Sequence, residues 1–399
     1  MSSANYRRLW AIGAGVGVAR WLEFLGLGIF AFELTGSPSL VALLAIVRMI
    51  PYVMTGFIVG ALADILDRRW LLIISFAAAT TAAVIFAGMT LAGLASYAMI
   101  LLAAAISGLV WTTDMPVRRR LIVDAAGPDS MASALGFDNS TTYATRAMGP
   151  LLGGVIYQWL GPAGIFVLSA AVFSMCLLLS YRLTTTAPVD AGTRPKTTFA
   201  SLLPPLALLK SRAFLVVGGI PVVYNFFCFP FVTMVPVISQ KDFLLEPFMV
   251  GALSSCDGIG GTFGALAIGV LGSRRALFRI YFIGVASFLA LMLGLSYMLS
   301  VGTTLGALLL MGVGAAGFSS TQYALVYSLA PPDMRGRATG LLSIFIGTST
   351  IGLYHTGVLF DRFPSATAMW IMAVEGLGLV ILLGLIWLRL SPVERTIPT

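Results

Sequence analysis

The chain has 399 residues, of which 58% are hydrophobic and only 10% are charged, and its mean hydropathy is +0.96. This composition excludes a soluble enzyme, and repeated apolar stretches of about twenty residues indicate a polytopic helical membrane protein. The formal net charge of +8 comes from basic residues scattered at the ends of the apolar stretches. That distribution indicates membrane orientation and argues against a nucleic-acid partner.

The apolar stretches predict an all-α membrane protein with about twelve transmembrane helices. The predicted spans cover residues 9–33, 39–62, 70–93, 97–117, 133–158, 164–182, 213–238, 247–271, 278–299, 303–329, 338–360 and 366–388. The first span lacks a small-residue cleavage site, so we expect it to be retained. Nineteen basic residues fall in loops on one side of the spans and only Lys241 and Arg362 on the other. This bias predicts a multi-pass protein of the cell (inner) membrane with both termini in the cytoplasm.

The first predicted span carries Arg20 and Glu23, which lie three residues apart and therefore share a helix face. Charges near the bilayer centre are costly unless paired or hydrated, so both are candidates for a functional site. Two interpretations stay open for Glu23: a structural ion pair with Arg20, or a carboxylate that takes up and releases the proton of an antiporter. The other spans carry further ionisable residues, namely Arg48, Asp114, Arg146, Asp257, His355 and Glu375.

A charged turn separates the second and third spans, where Asp64, Asp67, Arg68 and Arg69 lie within six residues. These groups cannot sit in hydrocarbon, so they predict a tight cytoplasmic hairpin between two membrane helices.

Two spacings in the fourth and fifth spans predict local contacts. Asp114 and Arg118 are four residues apart, which suits a local ion pair. Arg146 precedes Gly149 and Pro150, where small side chains allow close helix approach and the proline lacks a backbone donor. We therefore expect a hinge or seal between helices here, with ordinary helix packing as the alternative.

Arg146 has two possible partners. It could neutralise Glu23 or bind an anionic group of a substrate, and we favour the structural pairing. Asp257 in the eighth span is a second candidate for the proton carrier, because it is also a carboxylate within a span.

The segment 184–212 has the Thr/Pro-rich composition of a linker and divides the chain near its middle. The sequence Gly-Ala-Leu-Ala followed by two arginines occurs at residues 60–69 and again at 264–275. This recurrence at half the chain length indicates two six-helix pseudo-repeats, residues 1–183 and 213–399, joined by a cytoplasmic linker. Transporters with such repeats place the substrate near the bilayer midplane between the halves.

Polar and aromatic residues of the seventh and tenth spans are candidates to line a substrate cavity, namely Tyr224, Asn225, Gln322 and Tyr323. They would suit an amphipathic or aromatic organic ligand. Glu23, Cys228 and His355 form an alternative set that could bind a divalent metal, although their spacing does not require one. A lone histidine in a membrane is more often a hydrogen-bonded helix contact.

Several motifs resemble the major facilitator superfamily across essentially the whole chain. The charged turn resembles the family's signature between helices two and three, with Gly60, Leu62, Ala63, Asp64, Arg68 and Arg69. The fifth span resembles part of its antiporter signature, with Gly136, Gly149, Pro150, Gly153 and Gly154, while Thr145 replaces an expected glycine. Residues 5–10, 33–37 and 335–341 also look like an exporter branch similar to enterobactin and macrolide efflux proteins.

The resemblance implies the major facilitator fold, a drug:proton antiporter and a monomer. It also implies a cytoplasmic gate formed by Asp64, Arg68 and Arg118, with Asp64 near the start of the eleventh helix, where the helix dipole favours a carboxylate.

The predicted function is therefore secondary active export of a small organic compound, such as a drug or siderophore, by alternating access with proton antiport. The expected partners are this substrate, protons and the lipid bilayer. No cofactor is implied, since no GxxxxGK[ST] signature occurs, and no enzymatic activity is expected. A divalent-metal exporter of the iron type is the alternative. A hypothesis of a different class is a non-transporting membrane sensor or assembly protein. The charged residues within the spans argue against it.

Overall fold

The computed structural model describes residues 4–65, 67–127, 130–184, 208, 210–271, 276–331 and 334–390, without the side chains of residues 52–65, 132, 271, 335, 336 and 339. These residues form helices and short connections, with no strand among them. The helices in chain order are α1 Ala4–Thr35, α2 Pro38–Ile65, α3 Arg68–Leu91, α4 Tyr97–Ala126, α5 Met131–Tyr181, α6 Arg212–Val223, α7 Phe229–Lys241, α8 Pro247–Leu271, α9 Leu277–Tyr297, α10 Val301–Leu329, α11 Arg335–Gly347, α12 Ser349–Arg362 and α13 Ser365–Arg389. A π-helical turn, Tyr224–Cys228, joins α6 to α7.

Ten helical stretches of the described chain are long and apolar enough to cross a membrane. One of them, within α5, holds two of the predicted spans, because the chain turns at Gly161 without an extended loop. Gly161 has φ 63° and ψ −167°, a conformation that only glycine adopts easily, and Pro162 follows it as the first residue of the next helical segment. The apolar part of α2, Pro38–Pro51, accounts for the remaining predicted span. The predicted all-α membrane fold is confirmed.

The chain forms two compact units. Unit 1 comprises Met1–Asp190 and Val235–Gly258, and unit 2 comprises Ala191–Met234 and Ile259–Thr399. Unit 1 thus contains α1 to α5 with the adjoining parts of α7 and α8, and unit 2 contains the rest. The predicted division into 1–183, linker 184–212 and 213–399 remains a prediction, and most of the linker lies outside the described residues.

The predicted hairpin after α2 is present. α2 ends at Ile65 and α3 begins at Arg68, where the Asp67 side chain caps α3 by accepting a hydrogen bond of 2.9 Å from the Arg69 backbone N–H. Arg69 also donates to backbone carbonyls at the end of α5, while Arg68 pairs with Asp124 on α4 at 2.8 Å. The turn is therefore tied to the neighbouring ends of two other helices of unit 1.

The core of unit 1 lies between α1, α3, α4 and α5. Its side chains include Ile12, Phe76, Val117 and Phe173, which are all buried, and Phe76 stacks on Phe173 with ring centroids 6.5 Å apart. This apolar layer adjoins the charged side chains of α1 and α4, so it fixes the helices that carry them.

Candidate functional site

The buried carboxylate of Glu23 is the centre of a three-helix polar contact in unit 1. Its Oε2 accepts a 2.7 Å hydrogen bond from the Ser107 hydroxyl on α4 and lies 3.5 Å from Arg48 Nη2 on α2. Arg48 also donates to Ser107 Oγ, at 2.5 Å, and to the Arg20 carbonyl, at 3.2 Å. Glu23, Arg48 and Ser107 are each less than a tenth exposed. We name these three side chains the Glu23 triad.

The predicted partners of Glu23 are corrected by this geometry. Among the described residues Glu23 pairs with Arg48, and neither Arg20 nor Arg146 forms an ion pair with it. The spacing of three residues pointed to Arg20, because spacing along the chain identifies neighbours on the same helix only. Arg48 is the one charged residue of the second predicted span and so could have been considered as the partner, but its contact with Glu23 depends on how α1 and α2 pack.

The Arg20 side chain lies instead among tryptophans. Its guanidinium carbon is 5.0 Å from the Trp21 ring centroid and 4.9 Å from that of Trp111 on α4. Arg146 packs against Trp21 from α5, at 5.4 Å from its guanidinium carbon to the ring centroid. Cation–π contacts of this kind hold an arginine without consuming its N–H donors.

Arg146 and Asp257, both predicted site residues, are brought together. Arg146 on α5 donates through Nε, at 3.0 Å, and through Nη2 to Asp257 Oδ2 on the unit 1 part of α8. Asp257 is almost fully buried, and its Oδ1 has no hydrogen-bond donor among the described residues. The backbones are close as well, because a Cβ on Gly258 would lie 2.7 Å from the Arg146 carbonyl carbon.

The predicted Asp114–Arg118 pair is confirmed and belongs to a larger group. Arg118 Nε lies 3.0 Å from Asp114 Oδ1, and its Nη1 donates to Asp138 on α5. Asp138 Oδ2 also accepts from Arg119, at 3.2 Å. We name these four side chains the Arg118 cluster. Asp138 was missed from the sequence, since only the packing of α4 on α5 places it there.

The position of Arg118 in this cluster requires a residue without a side chain on α1. A Cβ on Gly13 would lie 2.4 Å from Arg118 Nη1, so Arg118 fits because residue 13 has no side chain. The predicted gate partner Asp64 has its side chain outside the described residues, and the gate stays a prediction.

Gly149 and Pro150 lie within regular helix, since Gly161 is the one residue of α5 with non-helical backbone angles. A Cβ on Gly149 would lie 2.4 Å from the Trp21 Cβ, and one on Gly154 would lie 2.4 Å from the Pro247 carbonyl oxygen. These glycines therefore allow close helix packing within unit 1, and the predicted hinge or seal stays a prediction.

Two of the predicted cavity residues of unit 2, Tyr224 and Asn225, lie in the π-helical turn, and the other two, Gln322 and Tyr323, lie on α10. Tyr224 stacks on Phe318 of α10 at 4.1 Å, and the Asn225 amide donates to its own helix at the Pro221 carbonyl, 2.8 Å away. Gln322 is buried and Tyr323 is about half exposed. Proline at 230 cannot donate to the carbonyl of Phe226, which helps to explain why the helix widens here.

Two residues of the metal alternative, Cys228 and His355, lie in unit 2. His355 Nε2 lies 3.4 Å from Glu375 on α13, and its ring packs against Phe226 at 5.3 Å. Cys228 is a free, fully buried thiol. Within the described residues no group of three or more His, Cys, Asp or Glu side chains is placed to hold a metal ion.

Unit 2 also contains an apolar groove of about 1030 Å³ between α8, α9 and α10. Ile268, Leu291 and Val313 line it, and the four predicted cavity residues do not. Its lining contains a single charged side chain, Arg279.

Apolar helices of membrane-spanning length with paired charges buried among them define a polytopic membrane protein with a polar interior, which is the general construction of a transporter. The sequence matches the family model of the Major Facilitator Superfamily over residues 9–352. The chain belongs to this superfamily, and it is a transporter.

Three comparisons describe its relatives. The chain is 20% identical over 367 residues to the staphyloferrin A transporter of Staphylococcus aureus (strain NCTC 8325 / PS 47), covering 90% of each protein. It is 24% identical over 358 residues to the uncharacterized MFS-type transporter YfiS of Bacillus subtilis (strain 168), covering 88% of this chain and 80% of the relative. The crystal structure of the nucleoside transporter NupG is similar with a TM-score of 0.79 and 15% identity, covering 98% of this chain and 100% of NupG.

Proposed function

We propose that this chain is a secondary active exporter that moves a small organic compound across the cytoplasmic membrane in exchange for protons. The observation that carries the proposal is the buried Glu23 carboxylate, with the Ser107 hydroxyl at 2.7 Å and Arg48 at 3.5 Å. Arg48 balances the charged carboxylate, and a hydroxyl can donate to a carboxylate or accept from a carboxylic acid. Glu23 can therefore hold or release a proton inside the spans.

The proton would act on three helices at once. A charged Glu23 holds Arg48 of α2 and Ser107 of α4 against α1, whereas a protonated Glu23 loses the ionic attraction to Arg48. The change in protonation thus alters contacts between helices, which is how a proton could be coupled to alternating access. Asp257, paired with Arg146 and with one oxygen lacking a donor in the described chain, is the second candidate carrier.

The substrate class and direction of transport rest on similarity. One relative is a siderophore transporter by name, and the motifs resemble an exporter branch, which together support export of a siderophore, drug or similar metabolite. The loop charges support cytoplasmic termini. The resemblance also supports a monomer and a gate that includes Asp64, Arg68 and Arg118.

The two alternatives are less well supported. The divalent-metal exporter rests on Glu23, Cys228 and His355, whose spacing in the sequence does not require a metal. A non-transporting sensor would have to keep the Glu23 triad and the Arg146–Asp257 pair buried within spans without using them, at considerable energetic cost.

Flux measurements in liposomes test the proposal. Purified protein with an imposed pH gradient should transport at least one member of a panel of drugs and siderophores. Glu23→Gln should abolish this gradient-driven flux while the protein stays folded. Glu33→Gln is the matched control, because Glu33 is a carboxylate at the other end of α1 that accepts a hydrogen bond from Tyr157. Its flux should stay close to that of the wild type.

Two results would count against the proposal. If neither a compound of the panel nor a divalent metal tested beside it moves under the gradient, the chain is not an exporter of this kind. If Glu23→Gln transports as well as Glu33→Gln, then Glu23 does not carry the proton, and Asp257→Asn becomes the variant to measure.

A further inference from the structure

Arg20, Arg48 and Arg146 all lie in the polar interior of unit 1, and two of these three arginines form an ion pair with a carboxylate that the structure describes. Arg48 pairs with Glu23 and Arg146 pairs with Asp257. Arg20 forms no ion pair with any carboxylate that the structure describes. A charge within a span that lacks an ion-pair partner is costly, and such residues commonly mark the path of a charged substrate.

Arg20 and its neighbour Trp21 also have hydrogen-bond donors to spare. Arg20 Nε and Trp21 Nε1 are both buried, yet neither has an acceptor among the described residues. The polar atoms of the nearby Glu23 triad already bond to one another. Buried donors without acceptors are costly, and a ligand that brings acceptors would remove that cost.

The aromatic contacts of Arg20 hold its side chain in a fixed position, as a binding site requires. Its guanidinium is held by the faces of Trp21 and Trp111, at 5.0 and 4.9 Å from the ring centroids. Contacts to ring faces position the planar group but leave its N–H donors available in the plane. A guanidinium presented in this way matches a carboxylate, which can accept two parallel hydrogen bonds.

We propose that Arg20, Trp21 and Trp111 form a binding site for a carboxylate group of an anionic organic substrate. This inference rests on the proposed transport function and narrows its substrate class. Arg20 supplies the charge, the Trp21 indole N–H supplies a further donor, and the two aromatic rings favour a ligand with an apolar or aromatic body next to its carboxylate.

Calorimetric titration of the purified protein in detergent tests the site without a gradient. Three carboxylates of increasing size serve as probes: benzoate, citrate and carboxyfluorescein. Wild-type protein should bind at least one of them, and the cationic dye rhodamine 6G should not compete for that site. Arg20→Gln should weaken binding about tenfold or more, as expected for loss of a charge-assisted pair.

Two further variants keep the test informative if Arg20→Gln is unstable. Trp21→Phe keeps an aromatic ring but removes the N–H donor, and it should weaken binding about threefold to tenfold. Arg119→Gln removes a positive charge of the same unit outside the proposed site, and it should leave binding unchanged. Equal weakening by Arg119→Gln would mean that general electrostatic attraction, not a site at Arg20, holds the anion.

The outcome is separable from that of the flux experiment. If none of the three carboxylates gives binding that the Arg20 or Trp21 variants reduce, the carboxylate site is overturned even if other compounds are transported. If carboxylates bind as described but no flux follows a pH gradient, proton-coupled export is overturned while the site stands.

Discussion

Two arginines of unit 1 are held in opposite ways. Arg118 lies between the carboxylates of Asp114 and Asp138, and each of the three side chains is less than a tenth exposed. Arg20 lies between two tryptophan rings and has no carboxylate partner among the described residues. One cation is paired with carboxylates of its own chain, whereas the other is held in position by aromatic rings.

The difference indicates which buried charges are structural and which can act on a ligand. A buried ion pair with satisfied hydrogen bonds fixes how helices pack and has little left to offer a ligand. A cation that is held in position and has unused hydrogen-bond donors can bind a ligand. The Glu23 triad lies between these extremes, since its carboxylate is paired with Arg48 at the longer distance of 3.5 Å.

The largest expected effect comes from removing the compensated arginine. Arg118→Ala should lower the free energy of unfolding by about 3–5 kcal/mol, because it leaves the buried Asp114 carboxylate without its cation and the buried Asp138 carboxylate with Arg119 alone. Arg20→Ala should cost only about 0.5–2 kcal/mol, the size of a cation–π contact. Thermal unfolding of both variants in detergent measures the difference. Similar losses for the two would mean that the two arginines are not held in different ways.

A smaller effect is expected from filling the space beside the Arg118 cluster. Gly13→Ala places a methyl group 2.4 Å from Arg118 Nη1, and moving that side chain should cost about 1–3 kcal/mol. Gly28→Ala is the matched control on α1, because nothing lies within 4 Å of its added Cβ. It should leave stability unchanged or raise it by about 0.5–1 kcal/mol. If both glycines tolerate alanine equally, the close fit of Arg118 against α1 is not present in solution.

The smallest effect is expected at the edge of the same cluster. The Arg119 side chain is 34% exposed, and Asp138 still has its ion pair with Arg118 when Arg119 is removed. Arg119→Ala should therefore change the unfolding free energy by about 1 kcal/mol or less. A loss as large as that of Arg118→Ala would show that Asp138 depends on both arginines.

Local features were predictable from the sequence because they depend on residues close together in the chain. The tight turn after α2 follows from its charges, and the Asp114–Arg118 pair follows from its spacing of four residues on one helix. The same kind of argument failed for Glu23. Three residues separate it from Arg20, but its partner is Arg48 on another helix, 25 residues further along the chain.

The sequence by itself determined that this protein is helical, spans a membrane and belongs to the Major Facilitator Superfamily. Apolar content and backbone hydrogen bonding act within each helix, so they can be judged from composition. Only the tertiary structure decided that Arg48 pairs with Glu23, that Asp257 pairs with Arg146, and that Arg20 packs against two tryptophan rings. Those contacts depend on helix rotation and close approach, which are fixed by small residues such as Gly13 and Gly149 at the crossings.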